Sequence, residues 1–200
     1  MSSSGSDGDA GVRFGSLTLD AFLERVASRG PAPGGGVVAA VTVAGAAGLA
    51  SMAARFSDQL AGAADLAKQA DALRARADQL ADDDARAYGA VLAAYRRDDE
   101  DAESRRNAIR EALSQATDVP LALVACAREV GQVAMTLADT GNPNLRGDAV
   151  TAVLLADAAA RSATYLVRCN VRLGGLDDDR LEQAERCCHE LAAAVRAVQS

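Results

Sequence analysis

VVAAVTVAGAAGLASMAA, the stretch from Val37 to Ala54, decides the fold class. It contains no charged side chain and is built mainly from alanine, valine and glycine. Alanine is the best helix former, whereas strands favour β-branched and aromatic residues. A helix that is apolar on every side belongs in the middle of a bundle. The run carries two glycines, a serine and a threonine and ends at Arg55. That is short of the roughly 20 apolar residues that span a bilayer, so a buried helix from about Val37 to Asp58 is expected and no membrane partner.

Just upstream stands GPAPGGG, Gly30 to Gly36, which cannot continue a helix. Glycines after Pro33 let a ligand approach the backbone. The free N–H groups at a helix start then offer an anion site. Pro33, Gly34, Gly35, Gly36 and Val37 are therefore candidate binding residues, although close helix packing would also explain such a turn. The turn is not a P-loop, because it lacks Gly-Lys-Ser/Thr and a preceding strand. Before it, Thr18 is placed to cap a helix running to Ser28, with Leu19, Phe22, Leu23 and Val26 on one stripe.

Further along, a helix is expected over Ala63 to Tyr95, and another from Ser104 to Asp139 that Pro120 must kink or split. After the turn Gly141-Asn142-Pro143-Asn144 comes a helix from Leu145 to Leu173, closed by Gly174-Gly175. The last helix spans Asp177 to Val198, with Asp177, Asp178 and Asp179 in a first turn that suits the helix dipole. Long helices joined by short loops give an all-α, up-and-down bundle of about six helices.

Composition agrees. The 200 residues fit one domain, expected over residues 16–200 after a disordered Ser/Gly/Asp-rich tail at 1–15. The tail has no basic or apolar signal region, so a cytoplasmic protein is expected. A net charge of −7 disfavours nucleic acid as a partner. Cys126, Cys169, Cys187 and Cys188 lack metal-ligand spacing and are expected as free thiols. With His189 the one histidine, neither a Ser–His–Asp triad nor a histidine-rich metal site is expected.

Three polar side chains fall on apolar stripes. From Asp84, Leu73, Ala77, Leu80, Tyr88, Val91 and Tyr95 share one helical face, so Asp84 points where the core points. Asp82 and Asp83 do not, and are expected to be solvated. A carboxylate in a low-dielectric site has a raised pKa, as a general acid or base near neutral pH needs, although pairing with an arginine or capping another helix is the alternative. From Asp148, a stripe through Ala152, Leu155, Ala159, Ser162 and Leu166 ends at Asn170. Asp148 also suits its helix's first turn electrostatically, and Asn170 could simply bridge helices.

These segments together resemble the cyclodeaminase/methenyltetrahydrofolate cyclohydrolase family, which includes the cyclodeaminase half of formiminotransferase-cyclodeaminase and stand-alone bacterial cyclohydrolases. The likeness is carried by Ser28-Arg-Gly-Pro-Ala-Pro-Gly-Gly-Gly36 with Val38-Ala-Ala40, Asp84-Ala-Arg-Ala-Tyr88, Ala116-Thr-Asp-Val-Pro-Leu121, Gly141-Asn-Pro-Asn144 with Asp148-Ala149, and Asn170-Val171. It implies a cyclodeaminase-like bundle that dimerises and a tetrahydrofolate derivative as substrate, with no tightly bound cofactor. It also implies an enzyme acting on C–N bonds, a hydrolase or lyase of one-carbon metabolism. By position it makes Asp84 the acid–base group, Asp148 the holder of cation or water, and Asn170 its orienting partner. Pro33 to Val37 and Asn144 would contact the folate. With no formiminotransferase segment in the sequence, the cyclohydrolase form is the first expectation. Family members commonly have Ser, Ser and Asn where this chain has Val37, Gly147 and Gly174. Those differences support an alternative: the same pocket working on a non-folate small molecule by cyclisation, dehydration or C–N chemistry. A helical dimer without catalysis is a third reading.

Overall fold

The computed structural model describes residues 13–98 and 101–199. It contains six α-helices and two single 3-10 turns, with no strand among the described residues. The helices are α1 (Leu19–Ala27), α2 (Gly35–Arg55), α3 (Ala63–Tyr95), α4 (Ala102–Thr140), α5 (Arg146–Gly174) and α6 (Arg180–Gln199). The all-α bundle expected from the sequence is the fold. At 1.5 Å per residue, α3 and α4 run roughly 50 and 60 Å.

Helix α2 packs against α3, α4 and α5, and α6 lies over α4 and α5. The core between them is mostly alanine and valine, with Val37, Val43, Val124, Val130, Val153 and Val167 fully buried. Small side chains let the helix axes approach, and each buried alanine removes its methyl group from water. The apolar character of α2 is thus explained on most of its circumference, but Val38 and Gly45 remain exposed. By length and composition alone, three helices, α2, α4 and α5, could cross a membrane. This corrects the expectation from uninterrupted runs. About half of each apolar window is buried inside the bundle.

Helix boundaries have identifiable causes. The hydroxyl of Thr18 accepts the Ala21 N–H at 3.2 Å and starts α1, as expected. Only Phe22 of the α1 stripe is buried; it meets Phe14 edge-on, with ring centroids 6.5 Å apart. Phe14 is itself buried, so the ordered bundle takes in residues that the sequence reading placed in the tail; the rest of that tail lies outside the described residues. Helix α5 ends at Gly175, whose left-handed φ of 54° is the conformation a C-cap glycine adopts without strain. Helix α6 starts three residues later than expected. Asp177 to Asp179 precede it, and the Asp178 carboxylate accepts hydrogen bonds from the Arg180 N–H and guanidinium, which hold it below the usual carboxylate range.

Pro120 neither splits α4 nor ends it. The Ala116 carbonyl, which the proline leaves without its N–H donor, is served from another helix, and two neighbouring carbonyls gain side-chain donors. Thr117 Oγ1 donates to the Leu113 carbonyl at 2.7 Å, Arg180 Nη1 to that of Ser114 at 2.7 Å, and Asn170 Nδ2 to that of Ala116 at 3.1 Å.

A second correction concerns Asp82. It is buried, and its carboxylate accepts the Phe14 N–H at 2.9 Å. The segment before α1 folds across the side of α3 that periodicity assigned to solvent. Removing the acceptor leaves a buried N–H unpaired, so Asp82→Ala should lower unfolding free energy by about 1–3 kcal/mol. Urea denaturation measures this, and a loss under roughly 0.5 kcal/mol, the usual range for a surface substitution, would mean that the contact contributes nothing.

Candidate active site

Helices α2 and α5 run antiparallel, because the start of α2 and the second half of α5 border the same surfaces. At this end of the bundle the chain leaves a cavity of about 480 Å³. Its walls come from the glycine turn, the last three turns of α3, the first half of α4 and the end of α5. Aliphatic side chains dominate, with Leu92, Leu113, Leu166 and Leu173 among them, joined by the half-exposed rings of Tyr88 and Tyr95. Among the described residues, two polar side chains besides the tyrosines line it, Asp84 and Asn170, and no lysine or arginine does.

Asp84 sits where the glycine turn meets α3. Its carboxylate accepts a hydrogen bond from the backbone N–H of Val37, in the first turn of α2. The approach depends on Gly36: a Cβ there would collide with the Asp84 carboxyl group. Burial pushes the Asp84 pKa up from 3.8 to about 6, and the Val37 N–H pulls the other way. This helix start therefore receives one of the protein's own carboxylates, which is the helix-capping alternative for Asp84. Gly34, the N-cap, has no side-chain cap, and Gly34, Gly35 and Gly36 all border the cavity.

Asn170 hangs from the far wall. Its amide nitrogen is bound to the Ala116 carbonyl, 3.1 Å away. That bond fixes which end of the carboxamide is which, because only the nitrogen can donate. Ala116 and Pro120 line the cavity beside it.

Other residues singled out in the sequence do not gather here. Asp148 lies 22 positions before Asn170 on α5, which at 1.5 Å per residue puts it about 33 Å away, outside the cavity. Asn144 is exposed on the 3-10 turn at that same remote end. Its neighbour Asn142 donates to the hydroxyl of Ser57 and the carbonyl of Phe56, so this turn clips α5 to the end of α2. Pro33 faces a shallow hollow on the other side of the glycine turn, and Val37 contributes only its backbone, its side chain being fully buried. Conversely, the periodicity placed Tyr88 and Tyr95 with the core, and Pro120 entered as a kink or split of the helix and as part of the Ala116-Thr-Asp-Val-Pro-Leu121 segment, with no role in a site. The pairing of Ala116 with Asn170 crosses two helices and left no local signal.

The raised Asp84 pKa has a measurable consequence for stability. A carboxyl whose folded-state pKa exceeds its unfolded value favours folding while protonated, and that contribution is lost as pH rises from about 4 through 6. Asn is neutral throughout and can still accept the Val37 N–H. Asp84→Asn should therefore be more stable than wild type by about 2 kcal/mol at pH 8 and no more stable at pH 4. Denaturant titrations at the two pH values check this, and an equal gap at both would refute it.

A profile described as Formiminotransferase-cyclodeaminase matches residues 18–190. The methenyltetrahydrofolate cyclohydrolase of Methylorubrum extorquens is 37% identical over 194 residues, covering 90% of this chain and 92% of that protein. The formimidoyltransferase-cyclodeaminase of Sus scrofa is 35% identical over 164 residues, which cover 77% of this chain and 30% of that longer protein. Among solved structures, formiminotetrahydrofolate cyclodeaminase from Thermotoga maritima superposes with a TM-score of 0.77 at 26% identity, covering 93% of this chain and 99% of that one. The glycine turn, Asp84, the Pro120 turn and Asn170 all fall inside the matched span, and the chain belongs to the formiminotransferase-cyclodeaminase family.

Proposed function

We propose that this chain is a one-carbon folate enzyme that hydrolyses 5,10-methenyltetrahydrofolate. The observation that carries the reading is Asp84, the one carboxylate among the described residues of the cavity, set among apolar walls with a pKa near 6. Such a group is ionised at neutral pH and still basic enough to accept a proton. The cavity volume lies in the range of small-molecule sites, and the Tyr88 and Tyr95 rings among aliphatic walls suit a flat ring system. With no cation in the lining, acidic groups of a ligand stay at the mouth. Greater identity over nearly the full length of the cyclohydrolase than to the cyclodeaminases supports hydrolysis over deamination.

In this mechanism water adds to the amidinium carbon while Asp84 takes one of its protons. The carbon becomes tetrahedral and the cationic charge is lost. When the carbon–nitrogen bond of the ring breaks, Asp84 returns the proton to the leaving nitrogen, and the hydroxyl proton passes to solvent as the formyl C=O forms. Asn170 orients the water or the ring through its free carbonyl oxygen.

A non-folate substrate is not favoured by the family matches. Nor do the residues that suggested it bear on the cavity as expected. The Val37 side chain is buried in the core, and Gly147 is exposed with open space around it. At Gly174 a side chain would press against Leu176 and Leu113, so the glycine serves the packing of the α5–α6 turn.

The same reading includes a homodimer. Leu19, Leu23 and Val26 of α1, Val38 of α2 and Leu154 and Tyr165 of α5 are exposed. Val26 and Val38 border one hollow with Ala158, one turn from Leu154. Contiguous apolar surface of this kind marks an association site. Leu154→Arg should turn a dimer into a helical monomer, read by light scattering and circular dichroism. A wild-type monomer across micromolar concentrations ends this part of the reading.

For the catalytic part, the decay of the methenyltetrahydrofolate chromophore gives the rate. We expect kcat/KM to rise with pH through a midpoint near 6, as Asp84 ionises. Asp84→Asn should lower it about 10²–10⁴-fold without lowering the thermal midpoint. Wild-type protein that neither accelerates the decay nor binds the compound would show the substrate to be something else.

A further inference from the structure

We infer that Pro120 is a positioning residue, holding Asn170 so that its carboxamide oxygen faces the cavity as a hydrogen-bond acceptor. The kinetic part of its test rests on the folate reading above.

In an uninterrupted helix the carbonyl of residue 116 accepts the N–H of residue 120. Proline has no N–H, and its ring crowds the carbonyl four residues back. Pro120 lies well inside the 39-residue α4 and is buried, a position with a cost of about 3 kcal/mol in isolated helices. The helix nevertheless continues for five more turns. What the proline leaves open is the Ala116 carbonyl, and the group that occupies it is the Asn170 amide nitrogen at 3.1 Å, from the facing helix α5. Ala116, Pro120 and Asn170 all border the cavity, so this bond is part of its wall.

The bond also settles polarity. A carboxamide can present either end to a ligand, and a carbonyl partner can be served only by the nitrogen. With Nδ2 committed, Oδ1 has no protein donor among the described residues and is not sealed from solvent. The site therefore offers an acceptor on this wall, suited to an N–H of the substrate ring or to the attacking water. The carbonyls of Leu113 and Ser114 have the N–H groups of residues 117 and 118 as their helical donors and gain Thr117 and Arg180 side-chain bonds besides, so the gap that Pro120 opens is the one at Ala116 that Asn170 answers.

The test is a double-mutant cycle on Pro120→Ala and Asn170→Ala, with methenyltetrahydrofolate as substrate. Pro120→Ala returns the N–H that closes the helix on Ala116 and displaces the amide. Its thermal midpoint should equal or exceed that of wild type, while kcat/KM falls about tenfold, the worth of one positioned hydrogen bond. Asn170→Ala should lose as much, and the double variant no more than Asn170→Ala alone. Full activity in Pro120→Ala, or losses that multiply, would overturn the inference. The Asn170 side-chain amide resonances supply a readout that needs no substrate: protected from exchange in wild type, they should lose protection in Pro120→Ala. If they do not change, the proline does not position the amide. Should wild-type protein prove inactive on the folate, the folate reading fails, and these resonances alone decide the inference. Pro120→Ser carries the same backbone N–H and replaces the alanine variant if that one does not fold.

Discussion

The hydrogen bond from the Val37 amide to the Asp84 carboxylate constrains everything at the cavity end of the bundle. For it to form, the first turn of α2 must come within hydrogen-bonding distance of α3, and residue 36 must have no side chain. The glycine turn meets both requirements. Below it, α2 continues as alanine and valine at nearly every buried position, so that the close approach is kept along the length of the helix pair. A larger residue at those positions would push the helices apart and withdraw the amide from the carboxylate. The small-residue composition of α2 and the chemistry of Asp84 are thus parts of one packing arrangement.

The periodic features were legible in the sequence, and for a physical reason. The bounds of α3 coincide with the expected Ala63 to Tyr95 because an amphipathic stripe records which side of a helix meets the core. The same stripe singled out Asp84. What periodicity supplies is an angle around the helix axis, not a height along it or the identity of what covers each side. Asp148 and Asn170 share an angle on α5 and are about 33 Å apart in height, so one cavity cannot hold both. Asp82 has an outward angle on α3, yet the non-helical segment around Phe14 lies over it. Pro120 was read as a kink or a split because the group that replaces its missing N–H, Asn170, belongs to α5 and is distant in the chain.

Substitutions at apparent family positions carry less information than they first suggest, because part of the site is backbone. The group that Val37 gives Asp84 is an N–H that any residue except proline would supply, while its side chain is spent on the core. Replacing a hydroxyl there with an isopropyl group changes packing inside the bundle and leaves the contact to Asp84 in place. Likewise, within the Gly-Asn-Pro-Asn turn Asn142 has a structural task, tying α5 to the end of α2.

The position of Asp84 sets two electrostatic effects against each other. A helix N-terminus stabilises a carboxylate and lowers its pKa; apolar walls do the reverse. Here burial is the larger effect, and the balance lies near 6 rather than at either extreme. Were the N–H contact absent, the acid would stay protonated further into the neutral range and could give a proton but seldom take one. Were the walls polar, it would stay ionised and could not return the proton to a leaving nitrogen. In the proposed reaction one group makes both transfers. The geometry that satisfies this requirement, a helix start pressed against a carboxylate inside an apolar cavity, is also what holds an ionised, partly desolvated acid in the folded protein at neutral pH. Stability given up at this point is the expected companion of a group kept ready to exchange a proton.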